Sequence, residues 1–189
     1  VTGTNGKSSV ADFFYQILKL NKVSAASIGT LGIISSIYKK KTNLTSMDPQ
    51  LLHKNLEILA KKKINHVILE ASSHGLQQRR LDNLNIKTGI FTNLSHDHLD
   101  YHSSMNSYLQ SKMYLFKKLL NKRSTIITDE TIKEFKIIKN IAQKRKIKMI
   151  NIGNVLRSIK ILSVKYRERK QIVKISSGSR IFLLEIPLI

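Results

Sequence analysis

A short loop near the start of the chain has the residue types of a phosphate-binding site. Residues 3–8 read G-T-N-G-K-S and lie between the strand-like pair Val1-Thr2 and a predicted helix. Glycines let backbone N–H groups turn toward an anion, while the lysine and the serine hydroxyl can reach outer phosphates and Mg²⁺. The loop is shorter than the common G-x-x-x-x-G-K-[ST] pattern, because Val1 stands at its first glycine. The motif predicts nucleotide binding, with an ordinary glycine turn before a helix as the alternative.

Acidic and histidine side chains follow two later apolar runs. Glu70 ends the run N-H-V-I-L-E, and segment 93–102, N-L-S-H-D-H-L-D-Y-H, follows the next run. Ligands of open α/β sheets bind at the carboxyl ends of strands, so we expect Glu70 to face the loop and hold Mg²⁺. Segment 93–102 predicts a metal or general-base cluster, although its H-x-H-x-x-x-H spacing matches no standard zinc site. The alternatives are a solvent-exposed glutamate and loop histidines with satisfied hydrogen bonds.

Apolar periodicity predicts the elements that must position these residues. Helices are expected at 8–22, from Pro49 with Asp48 as its cap, at 104–120 and at 130–144. A strand with its exit turn is expected at 23–32, and further strands at 65–70, 87–93, 124–128 and 148–152. This alternation indicates an α/β fold, with a mostly parallel phosphate-loop NTPase sheet flanked by helices. Runs at 159–166, 171–176 and 181–186 predict a small antiparallel β portion near the C-terminus.

Composition excludes several classes of protein. The chain has 189 residues, 41% of them hydrophobic, which suits one domain with a sizeable core. No apolar run approaches the ~18–20 residues of a membrane span, so we expect no membrane association. The absence of cysteine excludes disulfides and thiolate metal sites. With no signal-peptide pattern at its start, the sequence favours a cytoplasmic location.

The chain is strongly basic, with 33 Lys+Arg against 12 Asp+Glu and a formal charge of +21. Such a charge could mark a nucleic-acid surface, because cations gain affinity by releasing phosphate counterions. The lysines are scattered as well as clustered, and the triplets 39–41 and 61–63 are not interleaved with aromatic residues. We therefore interpret the charge as compositional drift over solvated faces and expect no nucleic-acid partner.

Four segments, taken in order, resemble the Mur ligases, the ATP-dependent amide-forming enzymes of peptidoglycan synthesis. Besides the loop, L-T-S-M-D-P at 44–49 resembles L-T-T-P-D-P, and E-A-S-S-H-G-L at 70–76 resembles E-V-S-S-H-G-L. Segment 93–102 resembles N-L-S-R-D-H-L-D-Y-H. The combination is most similar to members that add the third peptide residue, usually meso-diaminopimelate or L-lysine. The resemblance implies the family's central ATP-binding domain over 1–189, truncated at both ends, without the N-terminal UDP-binding and C-terminal domains.

The resemblance also implies roles for individual positions. Contacts to ATP would come from Gly3, Thr4, Asn5, Gly6, Lys7, Ser8 and Ser9. Mg²⁺ would be held by Ser8, Glu70, His98 and, if carbamylated by CO₂, Lys112. The UDP-muramoyl dipeptide would be contacted by Thr45, Ser46, Ser72, Gln78 and Arg80. The catalytic set would be Lys7, Glu70, His98 and Lys112.

The implied reaction has two steps. ATP would phosphorylate the D-Glu side-chain carboxylate of UDP-MurNAc-L-Ala-D-Glu, and the amine of a diamino acid would then displace phosphate. We expect the chain alone to lack ligase activity, and to associate with the missing domains if these are encoded separately.

Three alternatives stay open. Folylpolyglutamate synthetase shares a similar G-T-N-G-K loop and would bind folate. An unrelated phosphate-loop NTPase would share nothing beyond residue 8. A basic nucleic-acid binder would bind DNA or RNA with a steep salt dependence.

Overall fold

The computed structural model describes residues 1–42, 44–97, 100–153 and 159–187, and its α/β fold confirms the predicted class. The helices are α1 Lys7–Leu20, α2 Pro49–Lys61, α3 Ser73–Gln77, α4 Met105–Tyr114 and α5 Phe135–Arg145, with a π-helix, Leu115–Leu119, directly after α4. The strands are β1 Ala25–Gly29, β2 Gly32–Ser35, β3 Lys39–Lys40, β4 His66–Leu69, β5 Ile86–Phe91, β6 Leu120–Asp129, β7 Lys148–Gly153, β8 Ile159–Arg167, β9 Lys170–Ser177 and β10 Arg180–Pro187. None of the helices in these ranges is long and apolar enough to cross a membrane.

The strands form two sheets, in the orders β3-β2-β1-β4 and β10-β9-β8-β7-β6-β5. β1 pairs with β4 in parallel. In the other sheet the pairs β5–β6, β6–β7 and β7–β8 are parallel. β8, β9 and β10 pair antiparallel, which confirms the predicted antiparallel portion near the C-terminus. We call residues 159–187, which form these three strands, the C-terminal ribbon.

The pair Val1-Thr2 joins the two sheets. The Val1 nitrogen donates to the Leu69 carbonyl at 2.7 Å, and the Val1 carbonyl accepts from Ala71 N–H at 2.8 Å. Thr2 forms the equivalent two bonds with the end of β5. The phosphate loop therefore leaves the sheet where the parallel strands β4 and β5 end, which is the edge at which such sheets bind ligands.

Local signals place α2 as predicted. The Asp48 carboxylate accepts a hydrogen bond from Gln50 N–H at 3.0 Å. Pro49 occupies the first turn, where a backbone N–H has no helical partner, so the missing N–H of proline costs no hydrogen bond. Leu52 and Leu59 point into the main core and are almost completely buried. A smaller cluster, built on Val1, Ala11 and Ile68, lies under α1.

Several predicted boundaries differ from the structure; the strand expected at 124–128, for example, begins already at Leu120. The strand and exit turn expected at 23–32 correspond to β1 and the turn after Gly29, but the chain then turns back through the unpredicted β2 and β3. The expected helix 104–120 changes to a π-helix at Leu115, where Arg145 donates to the carbonyls of Phe116 and Leu120, each at 2.7 Å. The expected helix 130–144 begins only at Phe135. These differences depend on contacts distant in sequence, which periodicity does not contain.

Candidate functional site

A polar pocket of about 470 Å³ opens where the phosphate loop meets the ends of β1 and β4. Its lining includes every predicted ATP contact from Thr4 to Ser9, and all five predicted dipeptide contacts: Thr45, Ser46, Ser72, Gln78 and Arg80. Glu70 and Lys112 also line it, although they are distant from each other in sequence. Gly3 lies at the base of the loop and contributes its carbonyl. His98 lies outside the described residues.

Two glycines give the loop its shape. Gly6 precedes α1 with φ 80°, in the left-handed region that favours glycine. Gly3 has φ 151°, and a Cβ atom there would lie 1.9 Å from the Thr92 hydroxyl oxygen. The loop is tied to the end of β5, because Thr4 N–H donates to the Asn93 carbonyl at 2.9 Å. These contacts direct the start of α1, with its free N–H groups, into the pocket.

Two lysine ammonium groups meet at one carbonyl. Lys7 Nζ donates to the Gly3 carbonyl at 3.1 Å and to the Thr4 carbonyl at 2.7 Å, and Lys112 Nζ donates to the same Gly3 oxygen at 2.7 Å. Burial and the nearby positive charge of Lys7 lower the pKa of Lys112 to about 7, against a smaller opposing effect of Asp97. Burial likewise lowers the pKa of Lys7, with Glu70 and Asp97 opposing the shift. Paired cations of this kind favour the binding of a multiply charged anion.

Lys112 is held by aromatic and loop neighbours. Its side chain is 1% exposed, and its ammonium lies 4.2 Å from the centre of the Tyr108 ring, within the range of a cation–π contact. The Tyr108 hydroxyl is 3.2 Å from the Thr4 hydroxyl. Burial raises the pKa of Tyr108. Helix α4 therefore contributes a buried amine to the base of the phosphate loop.

Glu70 lies at the opposite side of the loop, as the position after β4 predicted. Its carboxylate accepts from the Ser8 hydroxyl at 2.8 Å and from Thr30 N–H at 2.9 Å, and it is 3% exposed. The side chain crosses the end of β1, where only a glycine fits, because a Cβ at Gly29 would lie 2.0 Å from Glu70 Oε1. The carboxylate is thus fixed beside the first hydroxyl of α1.

Thr30 is a pocket residue that the sequence reasoning missed. Its hydroxyl donates to Glu70 Oε2 at 3.2 Å and lies 3.0 Å from the Thr45 hydroxyl. A polar path therefore runs from Ser8 through Glu70 and Thr30 to Thr45, across the floor of the pocket. The available signal was a threonine in a glycine-flanked turn, but only the pairing of β1 with β4 makes that turn adjacent to Glu70.

The predicted dipeptide contacts form a second hydrogen-bonded group. The Ser46 hydroxyl donates to the Glu70 carbonyl at 3.1 Å and accepts from Ser72 N–H at 2.9 Å. Arg80 Nη1 donates to the Ser46 carbonyl at 2.6 Å, and its Nε donates to Gln78 Oε1 at 2.9 Å. These bonds hold the Arg80 guanidinium at the pocket wall, where it can attract an anionic substrate.

The predicted histidine and aspartate cluster at 93–102 is not formed by its described members. His96 is exposed, whereas His102 is buried, with its ring centre 5.6 Å from that of His74 and 5.1 Å from that of Tyr108. Across the described ranges, no three His, Cys, Asp or Glu side chains are grouped closely enough to hold a metal ion. A role for His98 stays a prediction, because that residue lies outside these ranges.

Ser8 and Glu70 fit a magnesium ion shared with a phosphate group. Their oxygen atoms are 2.8 Å apart, and both belong to the hard oxygen donors that Mg²⁺ selects. Mg²⁺ usually takes only one or two protein carboxylates, and obtains its other ligands from substrate phosphates and water. The donor set at the loop therefore suits a nucleotide-bound metal rather than a site made by protein alone.

Comparison with known proteins gives a family match over the whole chain. The family model described as "Mur ligase middle domain" matches residues 1–189. The UDP-N-acetylmuramoyl-L-alanyl-D-glutamate--2,6-diaminopimelate ligase of Brucella melitensis is 40% identical over 190 residues, covering all of this chain and 38% of the relative. The ligase of the same name from Rhizobium meliloti is also 40% identical, with 39% of its length covered. This chain thus spans about two fifths of the relatives' length.

Solved structures share the fold. A structure of UDP-N-acetylmuramoyl-L-alanyl-D-glutamate--2,6-diaminopimelate ligase has a TM-score of 0.86 and 27% identity over 98% of this chain and 38% of its own. MurF ligase from Thermotoga maritima in complex with ADP has a TM-score of 0.66 at 16% identity, over 98% of this chain and 39% of its own. A folylpolyglutamate synthetase–AMPPCP complex has a TM-score of 0.70 at 12% identity, over 99% of this chain and 52% of its own. At these last two identities the likeness concerns the fold alone.

Proposed function

This chain belongs to the Mur ligase family, through its middle domain, and we propose that it binds Mg²⁺·ATP in the polar pocket. We further propose that it acts as the ATP-binding part of a ligase that adds a diamino acid, diaminopimelate or lysine, to UDP-MurNAc-L-Ala-D-Glu. The relatives at 40% identity carry the name of the diaminopimelate ligase, which supports this choice within the family. We place the reaction in the cytoplasm, where ATP is available.

The observation that carries the proposal is the meeting of Lys7 and Lys112 at the Gly3 carbonyl, beside the N-terminus of α1. Before any carbamylation, the cationic form of buried Lys112 and the half-buried Lys7 repel each other, and a triphosphate would relieve that repulsion. Lys7 would then move its ammonium from the loop carbonyls to the outer phosphates. The N–H groups of residues 6–9 would donate to phosphate oxygens, because the first turn of a helix leaves them without helical partners.

Ser8 and Glu70 would hold Mg²⁺ together with phosphate oxygens, and the ion would neutralise charge that develops during phosphoryl transfer. Thr30 keeps the Glu70 carboxylate in position through its N–H and its hydroxyl. His98 is proposed as a further ligand on the resemblance of segment 93–102 to the family motif. Thr45, Ser46, Ser72, Gln78 and Arg80 would hold the acceptor carboxylate against the phosphate, since they line the adjoining wall.

The proposed reaction transfers the γ-phosphoryl group of ATP to a carboxylate oxygen of the acceptor, giving an acyl phosphate and ADP. The amine of the incoming amino acid then attacks the acyl carbon, phosphate leaves, and the amine loses a proton to give the amide. Such transfers depend mainly on positioning and on stabilisation of charge. The phosphate loop would supply the positioning, and Lys7 with the start of α1 would supply the charge stabilisation.

Lys112 is proposed to be carbamylated. A pKa of about 7 leaves a large fraction of its amine neutral near neutral pH, and only the neutral amine attacks CO₂. The neutral nitrogen bonds to the CO₂ carbon as one C=O π bond opens, and a proton is released; counted from the ammonium form, two protons are lost and the side chain becomes an anion that could support a nearby Mg²⁺. Labelling with ¹³CO₂ should give a carbamate carbon signal in the chain that is absent from Lys112→Met. A signal that persists in that variant would contradict the assignment.

Calorimetric titration with Mg²⁺ and a non-hydrolysable ATP analogue tests the proposed function. We expect saturable binding by the chain and a loss of ~30-fold or more for Lys7→Ala, because one charge-assisted contact contributes ~2 kcal/mol. Lys174→Ala removes an equal charge from the C-terminal ribbon, far from the pocket lining, and should leave binding unchanged. Equal losses in both variants would indicate general attraction by a basic surface instead.

Titration with a folate substrate and assay of amide formation separate the remaining alternatives. If the chain were part of a folylpolyglutamate synthetase, it would bind folate, whereas our proposal predicts no folate binding. With ATP, Mg²⁺, the UDP-linked dipeptide and diaminopimelate, we expect no amide product from this chain by itself, because it spans about 38% of its relatives' length. Amide formation by the purified chain would overturn that expectation.

A further inference from the structure

Tyr101 and His102 form, together with His74, a stack of three aromatic rings beside the polar pocket. The Tyr101 ring centre lies 3.8 Å from that of His74, which lines the pocket. It also lies 4.9 Å from the ring centre of His102, edge to face at 87°. His102 is 1% exposed, and its ring centre is 5.1 Å from that of Tyr108, which supports Lys112. The stack therefore connects the pocket wall with the base of the phosphate loop.

The hydroxyl of Tyr101 fixes the orientation of a side-chain amide in the pocket wall. It accepts a hydrogen bond from Gln78 Nε2 at 3.1 Å, while Gln78 Oε1 accepts from Arg80 Nε at 2.9 Å. A primary amide has donors at one end and an acceptor at the other, so only this orientation satisfies both neighbours. If the amide turned over, its NH₂ group would face the guanidinium, donor against donor. The Tyr101 oxygen thus determines which way the Gln78 amide points.

The orientation of Gln78 in turn holds Arg80. Arg80 Nη1 donates to the Ser46 carbonyl at 2.6 Å, so the guanidinium is held both by that carbonyl and by Gln78 Oε1. A guanidinium presents its donors in a rigid fork, so two fixed contacts set the direction of its remaining N–H groups. Gln78 and Arg80 both line the polar pocket. A carboxylate bound there would meet donors whose direction is already set.

We propose that Tyr101 is a positioning residue, whose hydroxyl orients the Gln78 amide and thereby holds Arg80 in place for the carboxylate of an acceptor substrate. The rings of His74 and His102 fix the Tyr101 ring from two sides. The inference rests on the proposed function for the identity of the substrate. The positioning itself is a property of the chain without any ligand.

Packing alone does not account for the Tyr101 hydroxyl. Tyr101 is 41% exposed, so its side chain gains little from burial, and water can hydrate its oxygen. Replacing it by phenylalanine keeps the ring contacts and should leave stability nearly unchanged, as for most substitutions at exposed positions. The replacement removes one thing of consequence, the acceptor for Gln78 Nε2.

Tyr101→Phe tests the proposal, with Tyr166→Phe as its matched control. Tyr166 lies in the C-terminal ribbon and is 72% exposed, and its hydroxyl likewise accepts from a glutamine amide, that of Gln171 at 3.4 Å. NMR of the chain without ligand measures the exchange of the Arg80 Nε–H with water. We expect this exchange to be ~5-fold faster in Tyr101→Phe, because an unanchored Gln78 amide holds Arg80 less firmly. It should be unchanged in Tyr166→Phe.

Calorimetric titration with UDP-MurNAc-L-Ala-D-Glu measures the consequence for substrate binding. The dissociation constant should rise ~5-fold in Tyr101→Phe, whereas that of the Mg²⁺·ATP analogue should stay unchanged. In a Gln78→Ala background, Tyr101→Phe should have no further effect on either the dissociation constant or the exchange, because the hydroxyl acts through Gln78. A merely structural role would give the same loss in both backgrounds.

Equal Arg80 exchange in wild type and Tyr101→Phe would overturn the proposal, and if the dipeptide still binds, the proposed function would stand without it. Faster exchange in a chain that does not bind the UDP-linked dipeptide would support the positioning role and contradict the substrate named above. A fall in Tm of ~3 °C or more in Tyr101→Phe would assign the hydroxyl to stability and reject the positioning role.

Discussion

The polar pocket and the C-terminal ribbon differ in which side chains they bury and which they expose. The pocket buries charged and polar groups, with Lys112 at 1% and Glu70 at 3% exposure, and satisfies them with hydrogen bonds from distant segments. The ribbon leaves large apolar side chains in the open, with Phe182 at 44% and Leu183 at 64% exposure. Its strands are joined almost entirely by main-chain ladders.

The structure therefore constrains the side chains of the two regions to different degrees. In the pocket Ser46, Glu70 and Lys112 each have a defined partner, so a substitution there leaves a buried group unsatisfied or creates a clash. In the ribbon the ladder depends on the backbone, so most side chains can change at little cost. Matched substitutions in the two regions should therefore differ sharply, and the following pairs test that expectation.

The largest difference is expected between Gly3→Ala and Gly178→Ala. A Cβ at Gly3 would lie 1.9 Å from Thr92 Oγ1, at φ 151°, so we expect a loss of at least ~3 kcal/mol in unfolding free energy. Gly178 also has positive φ, at 59°, but has nothing within 4 Å of an added Cβ, so only a backbone penalty of ~1 kcal/mol is expected. Urea unfolding measures both, and equal losses would remove the proposed contrast.

The pH dependence of Lys112→Met is the next test. Folded Lys112 loses its proton near pH 7, whereas the unfolded side chain does so near 10.5. Between these values the unfolded chain binds more protons, so wild-type stability rises with pH from about 7 toward 10.5; below about 7 both states are protonated and this contribution is absent. The stability of Lys112→Met relative to wild type should therefore decrease between pH 6 and pH 9, by a few kcal/mol at most, since one pKa unit corresponds to ~1.4 kcal/mol.

Lys174→Met provides the matched control in the ribbon, where the side chain is solvated. Its stability relative to wild type should stay constant over the same pH range. If the stability difference between Lys112→Met and wild type does not change with pH, the Lys112 amine of the wild type is not buried as described.

Glu70→Gln should weaken binding of the Mg²⁺·ATP analogue by ~10-fold, because it removes a charged ligand and leaves a neutral oxygen. Binding of the analogue without Mg²⁺ should change less. Glu185→Gln is the matched control, since it only breaks an exposed ion pair with Lys170, 3.2 Å long. A loss for Glu70→Gln that is the same with and without Mg²⁺ would place Glu70 outside the metal site.

Thr30→Val should have the smallest effect of the series, weakening analogue binding by ~3-fold through a less firmly held Glu70 carboxylate. Thr30→Ser keeps the hydroxyl and should restore most of the affinity. The backbone N–H bond to Glu70 survives in both variants, which limits the loss. If Thr30→Ser weakens binding and Thr30→Val does not, the methyl group rather than the hydroxyl is responsible, which would contradict the role given to the hydroxyl.

Local signals predicted much of the fold. Asp48 as the cap and Pro49 in the first turn predict the start of α2, and the structure confirms it. The phosphate loop and the position of Glu70 at a strand end also follow from short patterns. The β1–β2 hairpin could not be predicted, because its turn, G-T-L-G at 29–32, reads equally as the exit from a single strand.

The remaining features depend on distant contacts. The π-helix after α4 coincides with carbonyl contacts from Arg145, 25 or more residues away. The role of Thr30 depends on Glu70, 40 residues away. The burial of Lys112 could not be derived from its helix, which shows no strong apolar face. Only the resemblance to the family motif singled out that lysine beforehand.

Paramagnetic broadening by Mn²⁺·ATP is the most direct test of the claim that Lys7, Ser8 and Glu70 surround one nucleotide-bound metal. Mn²⁺ takes the same hard oxygen ligands as Mg²⁺ and broadens nearby amide signals. We predict loss of the signals of Gly6, Ser8 and Glu70, while signals of the ribbon residues 159–187 remain sharp. Broadening centred on the ribbon, or spread evenly over the lysine-rich surface, would contradict the account.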